Sequence, residues 1–384
     1  MLARGFASTV IDDVARDAGV SRATVYRLFP GGRAEVLDAF LRRELDIFFL
    51  DLYEQLHEVS DLETLLVEGL MYARTRIIDH PILNIALVED STVLETTFEL
   101  TLASIERAMT TFFLAYLSDG PWRVERADFL ARMALSYLGA PGTWDFRDRD
   151  QVAALVRCEL LPDAGGGDHL HPSRPRPLPA VRTATLQQRV TRALQDAFVD
   201  GDPLSMENIA RRADVSRATL YRAFPGGRWS LVTATVEIET ARILAAVAAD
   251  LSAAESLDEA VLATLTTAWH HATTHHALTR LLEIRPDLLH DQLRFDKAQR
   301  NFATYTSQLA PLLTRWVGRE AATRVAEWTL RVMFSYWLEP SEAVDIGDPH
   351  SVADFYSHHL AAGVAALADL PDRRVGSPVL QRKS

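Results

Sequence analysis

Apolar residues recur at helical spacing along most of the chain, and no stretch alternates regularly enough between apolar and polar residues to predict a sheet. In segment 185–199, one helical face carries Leu186, Val190, Leu194, Ala197 and Phe198. The pattern predicts helices over 34–59, 61–79, 82–90, 93–118, 123–139 and 148–160, and again over 228–251, 256–275, 277–284, 286–315, 319–338 and 350–368. We therefore predict an all-α fold.

Two segments of the chain are nearly identical. Segments 14–33 and 209–228 align without a gap and share 15 of 20 residues. Their offset of 195 residues is far longer than a solenoid unit, so it indicates two complete units in one chain. Each copy predicts two short helices joined by a turn, with Gly19 or Asp214 in the turn and Ser21 or Ser216 capping the second helix. This arrangement is typical of a helix-turn-helix, whose second helix enters the DNA major groove.

The sequence Val-Ala-x-x-Ala-Gly-Val-Ser-x-Ala-Thr-Val-Tyr-Arg-x-Phe at 14–29, with its twin at 209–224, resembles the TetR family of bacterial transcriptional regulators. The resemblance implies that each unit has a DNA-binding domain followed by an all-helical regulatory and dimerisation domain. It also implies that the last two helices of each half form a four-helix interface, which in this chain would make an intrachain pseudo-dimer. Association of two such chains into a homodimer is a further alternative. A buried helical hairpin is the alternative for one copy alone, but core packing would not require the same polar residues twice.

The halves also echo each other outside these segments. Met133-Ala-Leu-Ser-Tyr137 resembles Val332-Met-Phe-Ser-Tyr336 on the penultimate helix of each half. Five prolines and three glycines in 162–179 predict a linker between the halves. We expect helix-turn-helix domains at 1–45 and 185–232, helical regulatory domains at 46–161 and 233–370, a linker at 162–184 and a flexible tail at 371–384.

The first copy lacks the helix that precedes the second copy. Only Met1 to Arg4 stand before Gly5-Phe6, the counterpart of the end of that helix. We expect that a start codon has been placed too far downstream. The alternative is a shortened domain that the neighbouring half shields.

The net charge of −12 is unusual for a DNA-binding protein, but its distribution explains it. Segments 1–43 and 182–230 carry +2 and +3, and the remainder carries −17, so positive charge is concentrated at the two helix-turn-helix segments.

The one cysteine, Cys158, excludes an internal disulfide. No apolar run reaches about 18 residues and no signal pattern is present, so we expect a cytoplasmic protein without membrane contact.

The second helix of each copy carries the residues that we expect to contact DNA. The first arginine of each helix suits guanine O6 and N7, the alanine leaves room for a thymine methyl, and the serine suits a phosphate or a base. The threonine, the tyrosine and the second arginine suit phosphates. The resemblance implies the Tyr and Thr roles, and it places the last arginine of each copy near a phosphate-contacting lysine of the family. The predicted DNA-binding residues are Ser21, Arg22, Ala23, Thr24, Tyr26, Arg27 and Arg33, with Ser216, Arg217, Ala218, Thr219, Tyr221, Arg222 and Arg228. Matching copies predict a near-palindromic operator.

The helical domains offer candidates for an effector cavity, because such cavities are mostly apolar with a few polar groups. The candidates are Tyr72, Arg76, Phe98, Met109 and Phe113 in the first half, and Trp269, His276, Phe302, Tyr305 and Trp328 in the second. The alternative is that the aromatic residues pack in the core and interface. His271 and His275 have a spacing that zinc can use, but no clear third ligand is nearby, so we expect no metal.

No phosphate-binding loop, nucleophile elbow or Cys/His pair in a catalytic context is present, so we expect neither an enzyme nor a cofactor. The sequence predicts a DNA-binding transcriptional regulator, a repressor that responds to an unknown small-molecule effector. The alternative is a constitutive DNA-binding architectural protein without an effector.

Overall fold

The structure, a computed structural model, describes residues 10–79, 95–162, 186–200, 202, 205–274, 279 and 295–370. Every regular element in these ranges is a helix, which confirms the predicted all-α class. Within the same ranges, no helix is long and apolar enough to cross a membrane. The predicted helix over 82–90, most of the one over 277–284, nearly all of the linker and the tail lie outside the described residues.

The helices follow the predicted order closely. In the first half they are α1 (Ile11–Asp17), α2 (Arg22–Leu28), α3 (Arg33–Leu56), α4 (Leu62–Asp79), α5 (Glu95–Leu114), α6 (Arg123–Gly139) and α7 (Arg149–Leu155, continued by a π-helical turn, Val156–Leu160). In the second half they are α8 (Leu186–Val199), α9 (Met206–Arg212), α10 (Arg217–Ala223), α11 (Gly227–Leu251), α12 (Leu257–Thr274), α13 (Phe295–Leu313), α14 (Arg319–Leu338), α15 (Pro349–Phe355, continued by a π-helical turn, Tyr356–Leu360) and α16 (Ala361–Asp369).

The internal repeat extends to the end of each half. The Asp148 carboxylate caps α7 by accepting from the backbone N–H groups of residues 150 and 151, at 3.0 and 3.3 Å. The Asp348 carboxylate caps α15 in the same way, accepting from residues 350 and 351 at 3.2 Å each. Each capped helix then continues into a π-helical turn. The two halves therefore share local chemistry well beyond the segments that the sequence comparison aligned.

The two long helices α3 and α11 run without a break through the predicted domain boundaries at 45/46 and 232/233. Each one begins directly after a helix-turn-helix and ends in the helical body of its half. Each body is therefore joined to its helix-turn-helix by continuous backbone hydrogen bonding rather than by a loop.

Buried apolar residues of both halves form one hydrophobic core. Within it, α6 packs against α14, and the π-helical turn of α7 packs against α16. The Trp328 indole, 1% exposed, donates from Nε1 to the Glu159 carbonyl of the other half at 3.3 Å. Since the core is shared, neither half presents this apolar surface to solvent.

Two buried arginines bond across this core in a reciprocal manner. Arg132 on α6 donates from Nη1 to the Ser335 carbonyl at 2.8 Å, and Arg331 on α14 donates from Nη1 to the Ser136 carbonyl at 3.2 Å. Both pairs are related by the same offset of 199 residues. Each guanidinium also lies over a tyrosine ring of the opposite half, Arg132 over Tyr336 at 4.6 Å and Arg331 over Tyr137 at 4.2 Å.

The two arginines differ in the number of carboxylates around them. Arg132 binds Glu106 at 2.6 Å and Asp128 at 2.9 Å, and its side chain is 2% exposed. Arg331, with a side chain that is fully buried, binds Glu327 at 2.6 Å. Burial raises the pKa of Glu106 to about 7, and the neighbouring Asp128 adds to this while Arg132 opposes it. Arg132 therefore pairs with two acids of its own half, whereas Arg331 pairs with one.

We expect Arg132→Met to lower the free energy of unfolding by about 3–5 kcal/mol, because it leaves Glu106 and Asp128 buried without their cation. Arg331→Met should cost less, since a single carboxylate loses its partner. Urea unfolding followed by circular dichroism measures both variants.

A matched control is Arg149→Met, which removes an exposed ion pair with Glu68 and should change stability by about 0–1 kcal/mol. Equal losses for the Arg132 and Arg149 variants would contradict a special role for the buried arginine.

We expect Glu106→Gln to gain stability relative to the wild type as the pH rises from about 5 to about 8. The folded-state pKa of Glu106 is raised, so the folded protein binds a proton at this carboxylate more tightly than the unfolded chain does. The stability that this proton gives the wild type is lost as the pH rises through about 7, whereas the glutamine of the variant has no such dependence. Urea unfolding across this pH range measures the difference. Glu58→Gln, at a carboxylate that is 90% exposed, controls for the loss of one negative charge. A difference that does not vary with pH would contradict the assignment.

Candidate nucleic-acid interface

The second helix-turn-helix, α9 and α10, packs on α8 through a small apolar core. Val190, Leu194, Ile209 and Leu220 are each at most 1% exposed in it. Burial of an aliphatic side chain of this size contributes about 1.5–3 kcal/mol. This core fixes α10 against α9 and α8 and leaves its outer face to solvent.

The first helix-turn-helix, α1 and α2, has a smaller core of Ile11, Ala15, Val25 and Val36. Segment 1–9, which includes what the sequence predicts to be the remnant of the preceding helix, lies outside the described residues.

The turn between the two helices has the same backbone conformation in both copies. Gly19 has φ +66°, as the sequence predicts for a glycine at this place, and Asp214 has φ +53°. This left-handed region is unfavourable for most side chains, although aspartate tolerates it better than most. The angle between the helices is thus kept in the second copy at some cost in backbone strain.

Serine caps the recognition helix in both copies, as predicted. The Ser21 Oγ accepts from the Thr24 backbone N–H at 3.1 Å, and the Ser216 Oγ accepts from the Thr219 backbone N–H at 3.0 Å. The two hydroxyl groups of each pair are also within hydrogen-bond distance, at 2.9 and 2.8 Å. Serine and threonine therefore shape the N-terminus of the helix as well as facing outward. An N-cap of this kind contributes about 1 kcal/mol.

The predicted DNA-binding residues of the two recognition helices lie on matching outer faces. The arginine side chains Arg22 and Arg217 are 62% and 61% exposed. The tyrosines Tyr26 and Tyr221 are 42% and 45% exposed. The remaining exposed members are Ser21, Ala23 and Arg27, with Ser216, Ala218 and Arg222, whereas Thr24 and Thr219 are partly buried.

The two arginines predicted after the recognition helices lie in the first turns of the long helices. Arg33 is partly buried at the start of α3, and Arg228 lies in the first turn of α11, where its side chain is outside the described residues. Their contact with phosphate stays a prediction.

The sequence reasoning missed an acidic partner for the first arginine of each recognition helix. Asp12 on α1 lies 3.3 Å from Arg22, and Glu207 on α9 lies 3.6 Å from Arg217. Both pairs have the 195-residue offset of the repeat, and this shared acidic position was a signal that the sequence carried. Interactions with Tyr26 and with Asp12 raise the pKa of Arg22.

The structure distributes the predicted effector residues among different environments. Trp269 and Trp328 are fully buried, and the Trp269 Nε1 donates to the Met333 carbonyl at 2.9 Å. Arg76 binds Asp51 at 2.8 Å. Of the others, Phe113 and Phe302 are buried, Tyr72, Met109 and Tyr305 are partly buried, and the Phe98 side chain and His276 lie outside the described residues.

The histidines considered as zinc ligands are only partly covered by the structure. His271 is buried on α12, and His275 lies outside the described residues. Among the residues that the structure describes, no group of three metal-ligating side chains is brought together.

The two helix-turn-helix segments match a known protein family. The sequence model of the family described as bacterial regulatory proteins, tetR family, matches residues 1–40 and 202–228. No curated protein matches the chain. The two matched segments include the two helix-turn-helix pairs, and their similarity to this family supports a DNA-binding transcriptional regulator.

Proposed function

We propose that this protein is a ligand-responsive transcriptional repressor that binds a near-palindromic operator with the two helix-turn-helix segments of one chain. The observation that carries the proposal is the matching outer face of α2 and α10. Both helices carry the sequence Ser-Arg-Ala-Thr-x-Tyr-Arg, and the exposed, partly buried and buried positions within it coincide in the two copies. Identical groove-facing residues select identical half-sites, and two such half-sites make a symmetric operator.

The packing of the two halves supports an intrachain pseudo-dimer. In a two-fold interface, residue i of one subunit contacts residue j of the other and the reverse contact also occurs. The Arg132–Ser335 and Arg331–Ser136 bonds have this reciprocity between the halves of one chain. One chain would then supply both DNA-binding segments that a symmetric operator needs.

In this proposal, the domains at 1–45 and 185–232 bind DNA and the domains at 46–161 and 233–370 respond to the effector, with the linker at 162–184 between the halves. Ligand binding in a body would alter the separation of the two recognition helices through α3 and α11. The partly buried candidates for this ligand contact are Tyr72, Met109 and Tyr305, together with Arg76.

One observation favours the alternative of a constitutive DNA-binding architectural protein. Trp269, Trp328, Phe113 and Phe302 are buried in the shared core rather than exposed to a binding site. A reporter gene under the selected operator would separate the two functions, since only the repressor needs an inducing compound.

We expect Arg22→Ala and Arg217→Ala each to weaken operator binding by about 1–3 kcal/mol and to relax the base preference at one position of a half-site. Selection from random duplex DNA followed by fluorescence anisotropy measures both effects. Light scattering of the complex should give one chain on each operator.

The remote variant Arg149→Ala controls for the loss of one exposed positive charge. If the Arg22 and Arg217 variants weaken binding equally to all sequences, the two arginines contact phosphate and the proposed base contact is wrong. If the wild type selects no sequence, the repressor proposal itself fails.

A further inference from the structure

Arg126 on α6 is a partly buried cation without a counter-charge. Its guanidinium carbon lies 5.5 Å from the centre of the Phe129 ring, and it forms no ion pair with any described carboxylate. Burial lowers its pKa to about 10, with only Tyr336 acting in the opposite direction. The neighbouring arginine on the same helix, Arg123, is paired with Asp119 at 2.7 Å. A partly buried guanidinium with no carboxylate beside it can accept an anionic partner.

His359 in the π-helical turn after α15 is a second polar group without a partner. It is 4% exposed, and both its ring nitrogens are buried without a hydrogen bond. Burial, and then the charge of Arg126, lowers its pKa to about 3, so the ring is neutral and carries one N–H donor. Buried polar groups are almost always hydrogen-bonded, and an exception suggests a missing partner.

Arg126 and His359 come from opposite halves and meet at one edge of the shared core. Two rings connect them: Arg126 lies over Phe129, whose ring centre is 6.2 Å from that of Phe355, and Phe355 is 5.5 Å from His359. The Trp122 ring stacks on His358 at 4.0 Å and meets His359 edge-on at 6.2 Å. We call this edge the seam; its residues are Trp122, Arg126, Phe129, Phe355, His358 and His359. Trp122, Arg126 and His358 are partly exposed and form its rim, whereas the other three are buried and form its floor.

The opposite edge of the core has different chemistry at the corresponding positions. Val325 stands at the offset of 199 residues from Arg126, and Glu159 stands 200 residues before His359. Glu159 accepts from the Trp144 Nε1 at 2.8 Å. The unpaired cation and the unpartnered imidazole are therefore particular to one edge rather than a consequence of the repeat.

The seam combines a single positive charge, a neutral N–H donor and aromatic walls. A guanidinium binds a carboxylate with two parallel hydrogen bonds, and it repels cations. A flat apolar body would replace water against the partly exposed ring of Trp122. We propose that the seam binds a small aromatic carboxylate, whose carboxylate pairs with Arg126 and accepts a hydrogen bond from His359.

A ligand bound there would contact both halves at once and so stabilise their packing. The proposal does not involve any residue of α1, α2, α9 or α10. Its failure would leave the operator proposal intact, and loss of operator binding would leave this proposal intact.

Isothermal titration of the full-length protein with benzoate tests the proposal. We expect binding to the wild type, at least about tenfold weaker binding to Arg126→Met, and unchanged binding to Arg123→Met. Benzyl alcohol, which has the same ring without the charge, should bind at least about tenfold more weakly than benzoate. His359→Phe, which keeps a ring in the floor, should also weaken benzoate binding.

Three results would overturn the proposal. They are an absence of benzoate binding to the wild type, equal binding by the wild type and Arg126→Met, and competition by inorganic phosphate as effective as that of benzoate itself. Thermal unfolding without ligand guards against a folding defect, because Arg126→Met removes a desolvated charge and should be at least as stable as the wild type. If that variant is unstable, Arg126→Lys replaces it, because lysine keeps the charge but cannot form the two parallel hydrogen bonds. We expect Arg126→Lys to bind benzoate with intermediate affinity. Binding as tight as that of the wild type would also overturn the proposal.

Discussion

The reciprocal bonding of Arg132 and Arg331 is the constraint on which the arrangement of the two halves depends. Apolar packing alone would allow α6 and α14 to slide past each other, because hydrophobic contact has no direction. A buried guanidinium allows no such freedom, since it must place its N–H groups on particular acceptors. Only one alignment brings Ser335 to the first arginine and Ser136 to the second. The polar bonds thus select the alignment in which the apolar residues then pack.

The residues around Arg132 differ from those around Arg331, although both arginines support the same alignment. A symmetric dimer of identical chains would have the same residues around both. Arg132 is bound by Glu106, whereas Arg331 lies 4.9 Å from the Phe302 ring. Arg126 has Val325 at its related position. Fusion into one chain removes the requirement that both sides of the interface suit the same residue. An unpaired cation can therefore occur at one edge of the core without being duplicated at the other.

Periodicity in the sequence was sufficient to predict the helices that line this interface. The predicted ranges 123–139 and 319–338 agree with α6 and α14 at both ends. The echo of Ser136 and Tyr137 in the second half indicated that these positions were repeated, but not that Arg132 would bond across them. That partnership joins positions about 200 residues apart in the chain, and no local pattern encodes it. The acidic partner of Arg22 was missed for a related reason, because it belongs to the preceding helix.

The connection from each body to its helix-turn-helix also differs between the halves. Asp51 on α3 and Asp250 on α11 each bond to the next helix of their own half, although the 195-residue offset between these two helices does not align them. Asp51 binds Arg76 at 2.8 Å in a pair that is 39% exposed on each side, whereas Asp250 is buried and accepts from the Thr267 hydroxyl at 2.6 Å. An exposed ion pair contributes little to stability, but a buried carboxylate that loses its hydrogen bond is costly. The contact of α3 with its half at Asp51 is thus weaker than the contact of α11 with its half at Asp250.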